Sequence, residues 1–112
     1  MCTQNQLQII TSAVAQEAKN QLRDRLDAVI LYGSYARGDY DDQSDIDILV
    51  RIRCKHSELP AYRRTLTHCA GMLSLEHGVT VSVQIADTES YERYKTALPY
   101  YRNIEREGVT VA

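Results

Sequence analysis

Residues Leu31 to Val50 read LYGSYARGDYDDQSDIDILV, and the reading of this stretch decides the fold. An apolar run, Ala28 to Tyr32, ends at the pair Gly33-Ser34. Ten residues then separate Ser34 from Asp45, and one isoleucine separates Asp45 from Asp47. An aspartate inside an apolar strand is costly unless something cationic holds it. Side chains alternate along a strand, so Asp45 and Asp47 share a face. Gly33 lets the chain turn sharply and lets a phosphate come close, because it has no Cβ. The first amides of a helical turn after it carry partial positive charge and lack intrahelical acceptors. Hard carboxylate oxygens suit Mg²⁺, with substrate phosphates completing its shell. The spacing therefore predicts a nucleotide-phosphate site: Gly33 and Ser34 on the outer phosphates, Asp45 and Asp47 on a metal.

Outward from this stretch, Leu7, Ile10, Val14, Ala18 and Leu22 recur every three or four positions, predicting an amphipathic helix from Gln4 to about Asp24. Ala28–Tyr32 and Asp45–Ile52 read as strands, with Ser34–Arg37 a brief helical turn and Gly38–Gln43 a solvated acidic loop. A second helix is expected from Ser57 as cap, through Pro60, to Gly78. Val79 to Ile85 alternates apolar and polar, the mark of a half-buried strand. The remainder is helical in pattern, broken at Pro99, and closes on Gly108 and an extended VTV. Helix, strand, strand, helix, strand, short helices predicts an α/β two-layer fold over residues 1–112 as a single domain. Its small mixed sheet carries the long helices on one face and leaves the other open for chemistry.

Bulk properties exclude several classes. The chain has 112 residues, 25% charged and 44% hydrophobic, as in ordinary globular proteins. A net charge of −2 gives no field for direct nucleic-acid binding. No apolar stretch reaches the roughly 18 residues of a membrane span, and MCTQNQLQ is not a signal peptide. Cys2, Cys54 and Cys69 are an odd set without CxxC spacing, which fits a reducing cytoplasm. Cys54 and His56 are neighbours, but two ligands do not make a zinc site. Eight tyrosines with no phenylalanine or tryptophan are unusual. Tyr91, Tyr94, Tyr100 and Tyr101 read either as amphipathic packing or as a contact surface for another protein.

The string GSYARGD…SDIDILV resembles the minimal nucleotidyltransferases of the polymerase-β-like superfamily, in particular the small stand-alone MNT domains. YYRNIEREGV is similar to the tail of those domains. The resemblance implies a palm-like sheet, Mg²⁺, and ATP as substrate. It gives Gly33 and Ser34 the triphosphate and Asp45 and Asp47 the metal. Arg37 resembles the family's arginine, and two roles stand open for it: a phosphate contact, or a loop-fixing pair with Asp39 or Asp45. MNT domains are commonly encoded beside a helical HEPN ribonuclease toxin, and some act as antitoxins by AMPylation of a toxin tyrosine. The resemblance thus implies a HEPN partner and a hetero-oligomer.

One departure stands out. Active superfamily members often carry a third carboxylate on the strand beside the DxD strand, where this chain offers only Thr80, Ser82 and Gln84. Asp87 has the parity of the opposite face. Two alternatives follow: a binding protein that neutralises its partner without chemistry, or the catalytic subunit of a two-component small-molecule transferase.

Overall fold

The computed structural model describes residues 2–112. Helix α1 (Gln4–Leu22) is opened by a capping box, in which the Thr3 hydroxyl accepts from the Gln6 amide at 3.0 Å and the Gln6 side chain accepts from the Thr3 amide at 3.1 Å. Its buried stripe contains Leu7, Ile10, Val14, Ala18 and Leu22, as the periodicity predicts. Strand β1 (Leu26–Tyr32) leads through Gly33 into the single-turn helix α2 (Ser34–Arg37), and the acidic loop leads into β2 (Ile46–Ile52). Asp45 sits one residue before β2 rather than in it.

Helix α3 (Leu59–His77) starts one residue later than a Ser57 cap would have it. Ser57 lies inside a short 3-10 turn, His56–Glu58, which carries its own box: Glu58 accepts from the Lys55 amide at 2.8 Å. The left-handed Gly78 (φ 66°) ends α3, and the chain turns into β3 (Val81–Asp87). Helices α4 (Thr88–Tyr94) and α5 (Pro99–Glu107) follow, then the two-residue strand β4 (Val109–Thr110).

The sheet order is β3-β2-β1-β4, with β1 antiparallel to both β2 and β4 and β2 parallel to β3. One face packs Val29, Leu31, Ile46, Ile48, Val50, Ile52 and Val81 beneath α1 and α3. Ile46, Ile48, Val50 and Ile52 are at 0% exposure. Each contributes about 1.5–3 kcal/mol relative to an exposed side chain, which makes β2 the spine of the domain. The other face is not wholly open. Ala28, Ile30, Leu49 and Ala86 are covered there by Tyr91 of α4 and Ile104 of α5. The end carrying Asp47 and Ser82 lies outside that buried cluster, with Tyr32 packed against its margin. Among the described residues no helix is long and apolar enough to cross a membrane.

Candidate active site

Gly33 terminates β1 with φ 75° and ψ −156°, a conformation that a side chain would strain. Its carbonyl accepts from the amides of Ala36 and Arg37, both at 3.1 Å, which closes the α2 turn. A Cβ built on Gly33 would lie 2.6 Å from Oδ2 of Asp47. The turn and the carboxylate are therefore in contact, and only glycine leaves room for both. The register explains why: Tyr32, the last residue of β1, is the cross-strand partner of Asp47. Asp47 is partly buried, while Asp45 is exposed just outside the strand.

The loop before Asp45 is ordered as its serine suggests. Ser44 Oγ accepts from the Asp41 amide at 3.0 Å, and Asp41 Oδ1 accepts from the Gln43 amide at 2.8 Å. The Ile46 amide donates to the Thr80 carbonyl at 2.9 Å, holding the start of β2 beside β3.

Burial pushes the Asp47 carboxyl above its ordinary value, the charge of Asp45 adds to this, and Arg37 offsets part of it. A buried carboxylate raised by the charge of its neighbour suits a cation between the two. Among the described residues no three His, Cys, Asp or Glu side chains form a metal-binding group. The pair Asp45-Asp47 would thus be the whole protein contribution, a donor set that fits Mg²⁺, which keeps waters and takes phosphate oxygens.

Arg37 makes the loop-fixing pair with Asp39 that one of its two readings expects. Its Nε donates to Asp39 at 3.1 Å, and its other arm reaches Glu107 of α5 at 3.3 Å. Asp45 is not its partner. Among the described residues no third carboxylate stands beside Asp47 on β3. Ser82 stands beside Asp47 and Gln84 beside Leu49. Asp87 pairs in register with Ile52, at the far end of the strand. There it caps α4 by accepting from the Ser90 amide at 2.9 Å, and it meets His56 Nδ1 at 3.0 Å. His56 is thus occupied away from Cys54.

Two features of the site were not read from the sequence. The Tyr32 and Tyr100 hydroxyls are 2.7 Å apart, with rings edge to face at 5.7 Å. A cleft of about 210 Å³ runs between Tyr32, Gly33, Arg37, Tyr100, Asn103 and Glu107. Parity placed Tyr32 on the face of Asp47 once the antiparallel register was known; nothing local pointed to Tyr100 or Glu107. The tyrosine cluster divides between its two readings. Tyr91 is buried and donates to Glu105 at 2.6 Å, while Tyr94 and Tyr100 stay exposed.

The sequence pattern of the nucleotidyltransferase domain matches residues 14–108. The chain belongs to the nucleotidyltransferase domain family. Two relatives come from Methanocaldococcus jannaschii. "Putative protein adenylyltransferase MJ0604" is 33% identical over 90 residues, which cover 80% of this nucleotidyltransferase and 82% of the relative. "Putative protein adenylyltransferase MJ0141" is 41% identical over 63 residues, covering 54% of this chain and 60% of the relative. Against that second protein the nucleotidyltransferase spans less than two thirds of the length. Solved structures share the fold. A toxin-antitoxin crystallised with AMP-PNP superposes with a TM-score of 0.55 at 17% identity, over 96% of this chain and 73% of that one. A putative nucleotidyltransferase from Sulfolobus solfataricus gives 0.56 at 23% identity, over 95% and 83%.

Proposed function

We propose that this nucleotidyltransferase transfers AMP from ATP to a tyrosine of a protein partner, in a Mg²⁺-dependent reaction, and that the partner is a HEPN-type toxin held in check by the modification. The observation that carries the reading is the contact between Gly33 and Asp47, which puts a turn without a side chain directly against one carboxylate of the Asp45-Asp47 pair. The names of the relatives support the protein acceptor, and the toxin-antitoxin fold neighbours support the partner class. The free cysteines suit a cytoplasmic setting.

In this reading the Gly33-Ser34 turn donates amides and a hydroxyl to the outer phosphates, and Asp45 and Asp47 hold the cation. When bound, Mg²⁺ supplies charge neutralisation at the reacting phosphate. The phenolic oxygen of the acceptor forms a bond to the α-phosphorus, the bond to the bridging oxygen breaks, and pyrophosphate departs. The phenol proton passes to water, since Ser82 stands where a carboxylate base would. A phenol, with a pKa of about 10, needs that base less than a sugar hydroxyl does. Loss of general-base help lowers rates by about 10²–10⁴-fold, which leaves a slow transferase.

The test is incubation with labelled ATP, Mg²⁺ and the product of the neighbouring gene. Partner labelling that disappears in Asp45→Asn and Asp47→Asn variants supports the proposal; no such labelling sinks it. The serine beside Asp47 favours a second reading, in which the chain masks its partner without chemistry. Under that reading Asp47→Asn still protects cells from the partner.

A further inference from the structure

We infer that the acceptor binds as an extended, tyrosine-bearing segment along the outer edge of β3, in the groove between that edge and α3, with an acidic residue of the acceptor on Arg63. The inference rests on the nucleotidyl-transfer reading above.

Stereochemistry picks the side. In-line displacement places the incoming oxygen opposite the leaving pyrophosphate. Pyrophosphate leaves on the Gly33-Ser34 turn, which follows β1, and the carboxylates stand at the start of β2. The line from leaving group through phosphorus therefore runs on toward β3, along the row Tyr32, Asp47, Ser82. Among the described residues the sheet has no further strand beyond β3.

That edge can receive a strand. The Ile46 amide bonds the Thr80 carbonyl, so in a parallel ladder the even-numbered residues of β3 face β2 and the odd-numbered ones face outward. Val81 already donates its outward N–H to Ser74 Oγ at 2.9 Å. Val83 and Ile85 are left directing N–H and C=O away from the sheet, as strand addition requires.

A groove of about 480 Å³ lies along the same edge, and Asp45 lines it together with Gly71, Thr67 and Arg63 of α3. It is continuous with the metal site through Asp45. Gly71 lies in the middle of α3, where glycine costs about 1 kcal/mol relative to alanine. A Cβ added there would meet nothing within 4 Å, so packing inside the chain does not ask for a glycine. Arg63 has no ion-pair partner among the described residues. It sits toward the N-terminal end of α3, eight residues from Gly71 and so about 12 Å along the helix. Val81 to Ile85 spans about 13 Å of strand. An extended acceptor with its tyrosine at Asp45 thus brings a residue about four positions away to Arg63, and an acidic one complements it.

The test uses labelled ATP and two probes, a random Glu-Tyr copolymer and a random Lys-Tyr copolymer, with hydrolysis of ATP by water to AMP and pyrophosphate in the absence of copolymer as the separate readout of the nucleotide site. The expected result is labelling of the Glu-Tyr copolymer, reduced at least tenfold by Gly71→Leu and by Val83→Pro. Leu75→Ser, on the same helix but outside the groove, keeps transfer at the wild-type level. Arg63→Glu shifts the preference to the Lys-Tyr copolymer, a gain that misfolding does not produce. If the chain releases no pyrophosphate in an Asp47-dependent way, the reading of the nucleotide site itself falls. If it does, the inference is overturned by failure to label either copolymer, or by transfer that Gly71→Leu, Val83→Pro and Arg63→Glu leave unchanged.

Discussion

The α-carbon of Gly33 lies so close to Asp47 that a Cβ there would stand 2.6 Å from the carboxylate oxygen Oδ2. The two positions are fourteen apart in sequence, yet each constrains the other: the glycine is needed because the aspartate is there. The positive φ of Gly33 adds a second, independent penalty for any side chain.

Gly33→Ala should therefore cost more than a surface glycine would. The expected loss is about 1–3 kcal/mol of stability from the strained backbone. ATP affinity should fall further than stability alone explains, because the methyl displaces the carboxylate. Chemical denaturation and titration with a fluorescent ATP analogue measure the two effects separately. Gly38→Ala, also at positive φ but with nothing within 4 Å of an added Cβ, should show the backbone cost alone.

Asp47 is raised by burial first and by Asp45 second, which fixes the sign of its linkage to folding. A carboxyl with a raised folded value holds its proton more tightly in the folded chain than in the unfolded one, so ionising it lowers stability. Asp47→Asn should melt higher than wild type at pH 7 without divalent ions, by on the order of a few °C. The difference should shrink as pH falls through the raised value and vanish below the ordinary 3.8. Millimolar Mg²⁺ should raise the melting point of the wild type and leave the variant unchanged. Differential scanning calorimetry across pH reads both.

Asp27 predicts the opposite slope. Burial works to raise it, but the donors Arg51 and Thr88, with the charges of Arg51 and Arg53, bring it below its ordinary 3.8. Arg51 Nε lies 2.6 Å from Oδ2 and Arg53 3.0 Å from Oδ1. This stabilisation is present above 3.8 and is lost as pH falls through the lowered folded value. Asp27→Ala strands Arg51 half-buried against the Tyr91 ring and should cost about 2 kcal/mol at pH 7, below the 3–5 kcal/mol of a fully buried pair. Urea unfolding at pH 7 and near pH 2 should show the gap closing at low pH.

Arg37 is exposed and paired with Asp39 and Glu107. Arg37→Ala should leave stability within about 0.5 kcal/mol, as for other surface pairs. Its guanidinium nevertheless lines the cleft beside Gly33, and a charge-assisted bond to phosphate is worth about 1.5–3 kcal/mol. ATP affinity should therefore fall tenfold or more while AMP affinity changes little. Isothermal titration with both nucleotides checks this.

The helices over Leu7–Leu22 and Leu59–Leu73 and the strands around Gly33 and Asp47 were legible because their apolar period is local and repeats several times. The boundaries moved where a side chain did something period cannot show. Glu58 boxes the 3-10 turn ahead of α3, so Ser57 is not the cap. The pairing of Gly33 with Asp47 was anticipated as two ends of neighbouring strands, and the register made it a contact. Arg37 with Glu107 and Tyr32 with Tyr100 were not legible, because their partners arrive from α5, about seventy residues on. The half-covered second face escaped for the same reason: Tyr91 and Ile104 belong to short helices whose docking no periodicity specifies.

The hydroxyl of Ser74 has a consequence beyond the turn it helps to form. It takes the Val81 amide at one end of the exposed edge, and at the other end Asp87 turns away as the cap of α4, which leaves Val83 and Ile85 between them. Long bare edges are templates on which copies of a chain stack into fibrils, and proteins survive by blunting them. Here a serine and a helix cap leave an edge long enough to grip a brief guest and too short to start a polymer.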